Sequence, residues 1–285
     1  MQTTTTFGAQ ALAVPRARRT TAEYAYWALR IGSAMCFIGH GAFGFITKAA
    51  WLPYFGVVGI PEPLAWKLMP LIGAVDVTAG MAVLFAPRAV PLIYMSVWAF
   101  WTALLRPMSG ESVFETFERA GNYGVPLAML LMTALPLSFR SIRERLDGPI
   151  VNPRTAALAT RALTWTTALL LFGHGALGAL THKALLATHY AAIGLPTGAE
   201  QIVGWFEMML AVVVLLRPTV GLLVFVAVWK IATESLFVVA GAPVWELVER
   251  GGSYVAPLAL AALLRERKDG LGARGEKIEY TMSIQ

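Results

Sequence analysis

Gly39-His40-Gly41-Ala42-Phe43-Gly44 returns later in the chain as Gly173-His174-Gly175-Ala176-Leu177-Gly178. Each copy sets one histidine inside a long apolar run. Each is followed by a Thr, a Lys and a Gly-x-Pro turn, at Gly59/Pro61 and at Gly194/Pro196. The repetition extends well beyond this motif. From Trp98 to Leu130 a second copy lies 131 positions later without a gap, and thirteen of thirty-three positions are identical, among them Thr102/Thr233, Glu115/Glu246, Glu118/Glu249, Arg119/Arg250 and Gly121/Gly252. The same offset sets Asp76 opposite Glu207 and Gly73 opposite Gly204. The chain therefore reads as a tandem duplication.

Composition gives the solvent of the two copies. The chain is 57% hydrophobic and 14% charged, against roughly a quarter charged in soluble domains. A soluble fold of this size has too little interior to hide that much apolar surface. Eight apolar segments can be read, at about 25–47, 64–86, 89–107, 122–139, 158–181, 199–216, 219–240 and 251–267. A span needs about 20 residues to cross roughly 30 Å of hydrocarbon, and only the last segment is short of apolar length. The expected fold class is all-α: a polytopic membrane protein with eight transmembrane helices, arranged as two four-helix repeats. Four helices per copy is an even number, so the copies run parallel, related by a pseudo-two-fold axis along the membrane normal. The expected organisation is a basic tail (1–22), a first repeat (23–139), a charged linker holding Pro149 and Pro153 (140–157), a second repeat (158–267) and a tail (268–285).

With eight spans, fifteen Lys and Arg residues fall on one side, including Arg16, Arg18, Arg19, Arg88, Arg140, Arg143 and Arg145. Six fall on the other: Lys48, Lys67, Arg106, Arg119, Lys183 and Arg250. This positive-inside bias assigns both termini to the cytoplasm, in a cell (inner) membrane. The lipid bilayer is the expected partner, and the net charge of +6 then follows from topology rather than from a nucleic-acid footprint. The single Cys36 gives no disulfide framework or cysteine zinc site. No signal-peptide pattern opens the chain.

Few polar groups remain inside the apolar segments, and such groups normally face the bundle interior and have partners. His40 lies eight residues from Lys48, about 12 Å of helix. Asp76 lies ten residues from Trp66, about 15 Å of helix. The depths match, so His40 is expected to contact Asp76, and His174 to contact Glu207. Such a pair raises the histidine pKa, fixes its tautomer and forms a potential proton relay; a purely structural hydrogen bond between helices is the alternative. Thr102 and Thr233 are candidates for the same layer, as substrate-binding groups. The copies differ at Arg106, which has no basic counterpart, and at Glu234, which has no acidic one. An Arg106–Glu234 ion pair across the halves, or an asymmetric substrate site near Arg106, would account for this; Lys230, four residues before Glu234, is another partner for that acid.

The matched segments 111–123 and 243–254 read as short interfacial helices, with Val113, Phe114 and Phe117 on one face and acids opposite, each stopped by Arg and Gly. They either re-enter to steer the chain into the next span or cover the His–carboxylate layer. Trp51, Tyr54, Trp66, Tyr26 and Trp27 read as aromatic-belt anchors. His40 and His174 at equal depth would also suit a bis-histidine haem, but glycines beside each histidine suit close helix packing better, and haem is the less favoured reading. His182 and His189 have no recognised zinc-ligand spacing, so no metal site is expected.

The run His40-Gly41…Lys48 followed by Gly73-x-x-Asp76…Gly80…Leu84…Pro87-Arg88 resembles the DoxX-like family of small membrane proteins. Here Lys48 stands eight residues after His40 rather than four, and position 76 is Asp. Glu207 restores the usual acid in the second copy, but Met208 to Ala211 lack the glycines. The resemblance covers both copies and implies four-helix units. It also implies, more loosely, membrane-bound redox complexes such as the DoxD-type subunits of thiosulfate:quinone oxidoreductases. The leading expectation is thus a quinone-linked membrane subunit, with quinone as cofactor and a redox protein as partner, since the chain has no redox centre of its own. A proton-coupled transporter or small-molecule carrier is the second expectation, and a non-catalytic chaperone or scaffold the third.

Overall fold

A computed structural model describes residues 20–133, 142–149 and 152–282, with side chains to Glu266. The basic residues Arg16, Arg18, Arg19 and Arg140, and the end of the expected fourth span (134–139), lie outside the described residues. Among those described, the chain is helical without a strand. The first half holds α1 (Thr21–Phe45), a 3-10 turn at Ala49–Trp51, α2 (Leu52–Val57), α3 (Glu62–Phe85), α4 (Ala89–Met108), α5 (Phe114–Glu118) and α6 (Ala120–Thr133). The second holds α7 (Pro153–Ala179), α8 (Ala184–Ala191), α9 (Ala199–Leu216), α10 (Val220–Val239), α11 (Trp245–Glu249) and α12 (Gly251–Met282).

Each of the eight apolar segments overlaps one of the longer helices. Local chemistry sets their starts. Thr20 and Glu23 form a reciprocal capping box at α1, Asn152 accepts from the Thr155 amide ahead of Pro153 at α7, and Thr219 caps α10; such caps satisfy amides that a helix start leaves open. Six helices are long and apolar enough to cross a membrane: α3, α4, α7, α9, α10 and the stretch Trp245–Glu266. The pair Thr21–Phe45 and Ala49–Val57, bent by 101°, qualifies as a seventh if taken as one broken span. Leu71, Phe85, Val97, Ile202, Leu216 and Val228 lie exposed on these helices, an apolar surface that water would penalise and lipid would not. The chain is a multi-pass membrane protein by this evidence.

The two halves share one core. Leu29, Phe37, Val83, Leu92 and Met129 from the first half join Leu163, Leu171, Val214, Leu223 and Leu260 from the second. Between the halves, residues 142–149 are tied beneath the first, where the Leu146 amide donates to the Pro87 carbonyl at 2.8 Å and Tyr26 Oη donates to the Leu146 carbonyl at 2.5 Å.

The halves also interlock. Helix α1 packs against α3 of its own half and against α11 of the other; α7 packs against α9 and, reciprocally, against α5. The glycines of the repeated motif make this possible. A Cβ on Gly39 would stand 2.7 Å from Glu249 Cα, and one on Gly173 would stand 2.8 Å from Glu118 Cα. Real Cβ atoms do not come so close. The next glycine serves the other contact: a Cβ on Gly41 would lie 2.6 Å from the Gly73 carbonyl oxygen, and one on Gly175 2.5 Å from that of Gly204. Each histidine is therefore flanked by one glycine that admits the partner half and one that admits the next helix of its own.

Ion pairs fix the same junction. After α1 the chain reverses through Thr47, at φ +52°, and after α7 through His182, at φ +49°. These left-handed turns are strained for side-chain-bearing residues. They lead directly into Lys48, whose Nζ bonds Glu246 of the other half at 2.6 Å, and into Lys183, which bonds Glu115.

The matched segments, expected either to steer the chain into the next span or to cover the His–carboxylate layer, lie against the opposite half. Glu115, Glu118, Glu246 and Glu249 are all buried, because the opposite half covers them. Arg119 and Arg250 do end α5 and α11 as their C-caps, but α6 and α12 begin at once, and Gly121 and Gly252 meet backbone to backbone, where a Cβ on Gly121 would stand 2.7 Å from the Gly252 carbonyl carbon.

Burial alone would push the Glu118 carboxyl up, but the Arg119 and Arg250 guanidiniums outweigh it and hold it well below the usual range; Glu115 is likewise lowered, burial being outweighed by Arg119, Lys183 and Arg106. A depressed folded pKa stabilises above the unfolded value near 4.5 and loses that contribution as pH falls through the folded value. The melting-temperature deficit of Glu118→Gln in detergent is accordingly expected to be full at neutral pH and to shrink below about pH 4.5. A deficit that does not change with pH would contradict this.

Candidate functional site

The structure brings together both predicted pairs. His40 Nδ1 lies 2.7 Å from Asp76 Oδ2, and His174 Nδ1 bonds Glu207 Oε2. Both carboxylates are fully buried. Each takes a second bond that the sequence reading had not anticipated. Tyr94 Oη donates to Asp76 Oδ1 at 2.8 Å, whereas in the second half Trp229 Nε1 donates to Glu207 Oε1 at 2.8 Å. The repeat counterpart of Trp229 is Trp98, whose Nε1 is buried without a hydrogen-bond partner. The shorter aspartate is met instead by Tyr94, one helical turn before Trp98. The two differences between the copies, Asp for Glu and Tyr94 for Phe225, are thus one compensated change, and their joint occurrence was the available signal.

Above His40 lies a cavity of about 150 Å³. Its walls include Trp51, Tyr54, Phe55, Trp98 and Trp101, with His40, Thr102, Arg106, Arg119, Asn122 and Glu249 as polar members. Trp51 stacks on the His40 ring at 4.5 Å. This corrects the belt-anchor reading of Trp51 and Tyr54: the bend after α1 folds both over the histidine. Tyr26 is buried too and accepts from Arg30 Nη1 at 3.2 Å, while Arg30 donates to the Val83 and Leu84 carbonyls at 3.0 and 2.5 Å. A guanidinium there satisfies the open carbonyls at the end of α3.

The substrate-binding candidates separate. Thr102 lines the cavity while its hydroxyl donates to the Ala99 carbonyl at 3.1 Å. Thr233 donates to the Lys230 carbonyl at 3.3 Å and is buried. Arg106 also lines the cavity, lying over the Tyr54 ring at 5.0 Å and pairing with Glu111 at 3.1 Å and Glu115 at 3.6 Å. The expected Arg106–Glu234 pair does not form. Glu234 instead meets Lys230 at 3.0 Å and Arg250 at 3.1 Å, since its own helix and the adjoining α11–α12 corner supply cations nearer than the far half.

In the second half the corresponding space is filled. Lys230 stands where the first half has Ala99, is 1% exposed, and reaches Glu234 and, at 3.5 Å, Glu207. Phe237 stands where the first half has Arg106. It is covered by the Arg250 guanidinium at 3.8 Å and by the edge of His189 at 4.2 Å. Burial, with Arg250 nearby, holds His189 neutral, its pKa lowered to about 4. The duplication has left one half hollow and the other self-filled.

No group of three or more His, Cys, Asp or Glu residues placed to hold a metal ion occurs among the described residues. No family model, curated protein or solved structure matches the chain.

The pairings have a direct energetic consequence. In a double-mutant cycle of His40→Ala and Asp76→Asn, stability losses are expected to fall short of additivity by about 0.5–3 kcal/mol; strict additivity would contradict the contact. Trp229→Phe is expected to cost about 1 kcal/mol, and Trp98→Phe close to nothing, both measured by thermal unfolding in detergent. Equal losses would contradict the assignment.

Proposed function

We propose that this protein is a DoxX-like membrane subunit of a quinone-linked redox system, built as eight spans in two parallel four-helix halves about a pseudo-two-fold axis, with both termini in the cytoplasm of a cell whose inner membrane holds it. The observation that carries the reading is the first-half cavity: an aromatic box with a carboxylate-backed histidine in its wall. A cavity of ~150 Å³ takes about one benzene-sized ring. That is the size of a monocyclic quinone headgroup, whose apolar tail would leave toward lipid.

The chain's own residues divide the work. Trp51, Trp98 and Trp101 offer flat faces for a ring. Asp76 binds His40 Nδ1, which orients the imidazole and leaves Nε2 for a ligand. Tyr94 keeps Asp76 in place. A proton held at His40 Nε2 would lie next to a headgroup oxygen. A bound quinone supplies the electron-carrying chemistry, and a partner protein the electrons. A carrier with two equivalent sites is less well supported, because Lys230 and Phe237 fill the second.

A short-chain benzoquinone titrated into the purified protein is expected to quench tryptophan fluorescence saturably. His40→Ala is expected to weaken binding by about 10- to 100-fold, the loss of one strong hydrogen bond, with the melting temperature reported alongside. Absence of saturable binding, together with absence of quinone from the lipid extract, would overturn the reading.

A further inference from the structure

Among the described residues, Glu249 is the member of the inter-half charge cluster whose carboxylate forms no salt bridge or hydrogen bond, although the Arg119 and Arg250 guanidiniums lie near enough to act on it electrostatically. It sits at the end of α11, in the second half, yet lines the cavity of the first. It is 7% exposed. Among the described residues no side chain forms an ion pair or hydrogen bond with its carboxylate. Both arginines at the junction have turned to its repeat partner instead: Arg119 bonds Glu118, and Arg250 Nε lies 3.7 Å from it. Arg250 is further engaged by Glu246 and Glu234, and Arg106 by Glu111 and Glu115. Lys48 is taken by Glu246.

A buried ionised carboxylate accepts hydrogen bonds and donates none, and leaving it unpaired costs free energy. A ligand that fills the cavity displaces whatever water solvates Glu249, so it must itself bring a donor. His40 makes the same demand from the opposite half. With Nδ1–H given to Asp76, the neutral ring presents Nε2 as an acceptor. The cavity thus offers one acceptor from each half to a single small ring.

We propose that Glu249 is a specificity-determining residue that makes the cavity a site for the reduced, hydroxyl-bearing form of the headgroup, a quinol, in preference to the quinone. This rests on the quinone-class reading of the cavity. A quinol hydroxyl donates to the Glu249 carboxylate, and its other hydroxyl donates to His40 Nε2. A quinone can still accept a hydrogen bond from a protonated His40 Nε2, but it turns a carbonyl oxygen toward Glu249 and leaves that carboxylate unsatisfied. Charge-assisted hydrogen bonds of this kind correspond to a preference of about 10- to 100-fold.

The test is anaerobic titration of the full-length protein with a short-chain benzoquinol and with its quinone, read by tryptophan quenching, for wild type, Glu249→Gln, Glu249→Asp and Glu118→Gln. Wild type is expected to bind the quinol at least about tenfold more tightly. Glu249→Gln is expected to bring the two forms to near parity, because its amide donates to a carbonyl. Glu249→Asp keeps the carboxylate and the preference, and Glu118→Gln, which releases Arg119 and Arg250 toward Glu249, is expected to reduce the preference. Equal binding of both forms by wild type, a preference for the quinone, or a preference that survives in a folded Glu249→Gln would overturn the proposal while leaving the cavity a quinone-class site. Failure of wild type to bind either form would overturn that reading as well.

Discussion

Close backbone approach at Gly39 and Gly173 is the constraint on which the remaining structure depends. A helix carrying a buried histidine usually has side chains on every face. Here the residue before each histidine has none, so the end of the opposite half's short helix settles against the bare backbone. That contact brings Glu249 beside His40 and Glu118 toward His174, and it closes Lys48 onto Glu246 and Lys183 onto Glu115. Without it each half would lose the partners of its buried charges, at a cost of several kcal/mol per unpaired ion.

The arrangement explains why so many ionisable groups are tolerated in a buried junction. They are shared between halves rather than distributed singly. Lys48, Lys183, Arg119 and Arg250 each meet acids, and most acids meet two cations. Burying a network in this way is weak evidence for stability in itself. Its effect is positional: once both arginines lean toward Glu118, the two halves are no longer equivalent. The same asymmetry runs through Ala99/Lys230 and Arg106/Phe237. One half keeps an aromatic-lined space, and the other closes it with an internal cation and a phenyl ring.

Much of this was legible in the sequence. Depth counted along the helices paired His40 with Asp76 and His174 with Glu207, because a helix rises by a fixed amount per residue. The apolar segments located the long helices within a few residues. What the sequence did not reveal was the crossing of α5 and α11 to the opposite half. Alternation along a short helix marks a polar face but does not distinguish water from a cation of the opposite half. For the same reason Trp51 and Tyr54 looked like belt anchors. The strained turn at Thr47, which folds them over His40, leaves no mark in composition. Tyr94 was hidden differently: its role appears only when the Asp76/Glu207 and Tyr94/Phe225 differences are considered together.

The most direct measurement is thermal unfolding in detergent of four alanine variants: Gly39→Ala, Gly173→Ala, Gly56→Ala and Gly221→Ala. A Cβ on Gly56 or Gly221 would meet nothing within 4 Å. Overpacking at a closed contact costs about 1–3 kcal/mol, or several degrees in melting temperature for a chain of this size. Clear losses at Gly39 and Gly173, with none at Gly56 and Gly221, are the expected result. Four variants that melt alike would contradict the interlocked arrangement of the two halves.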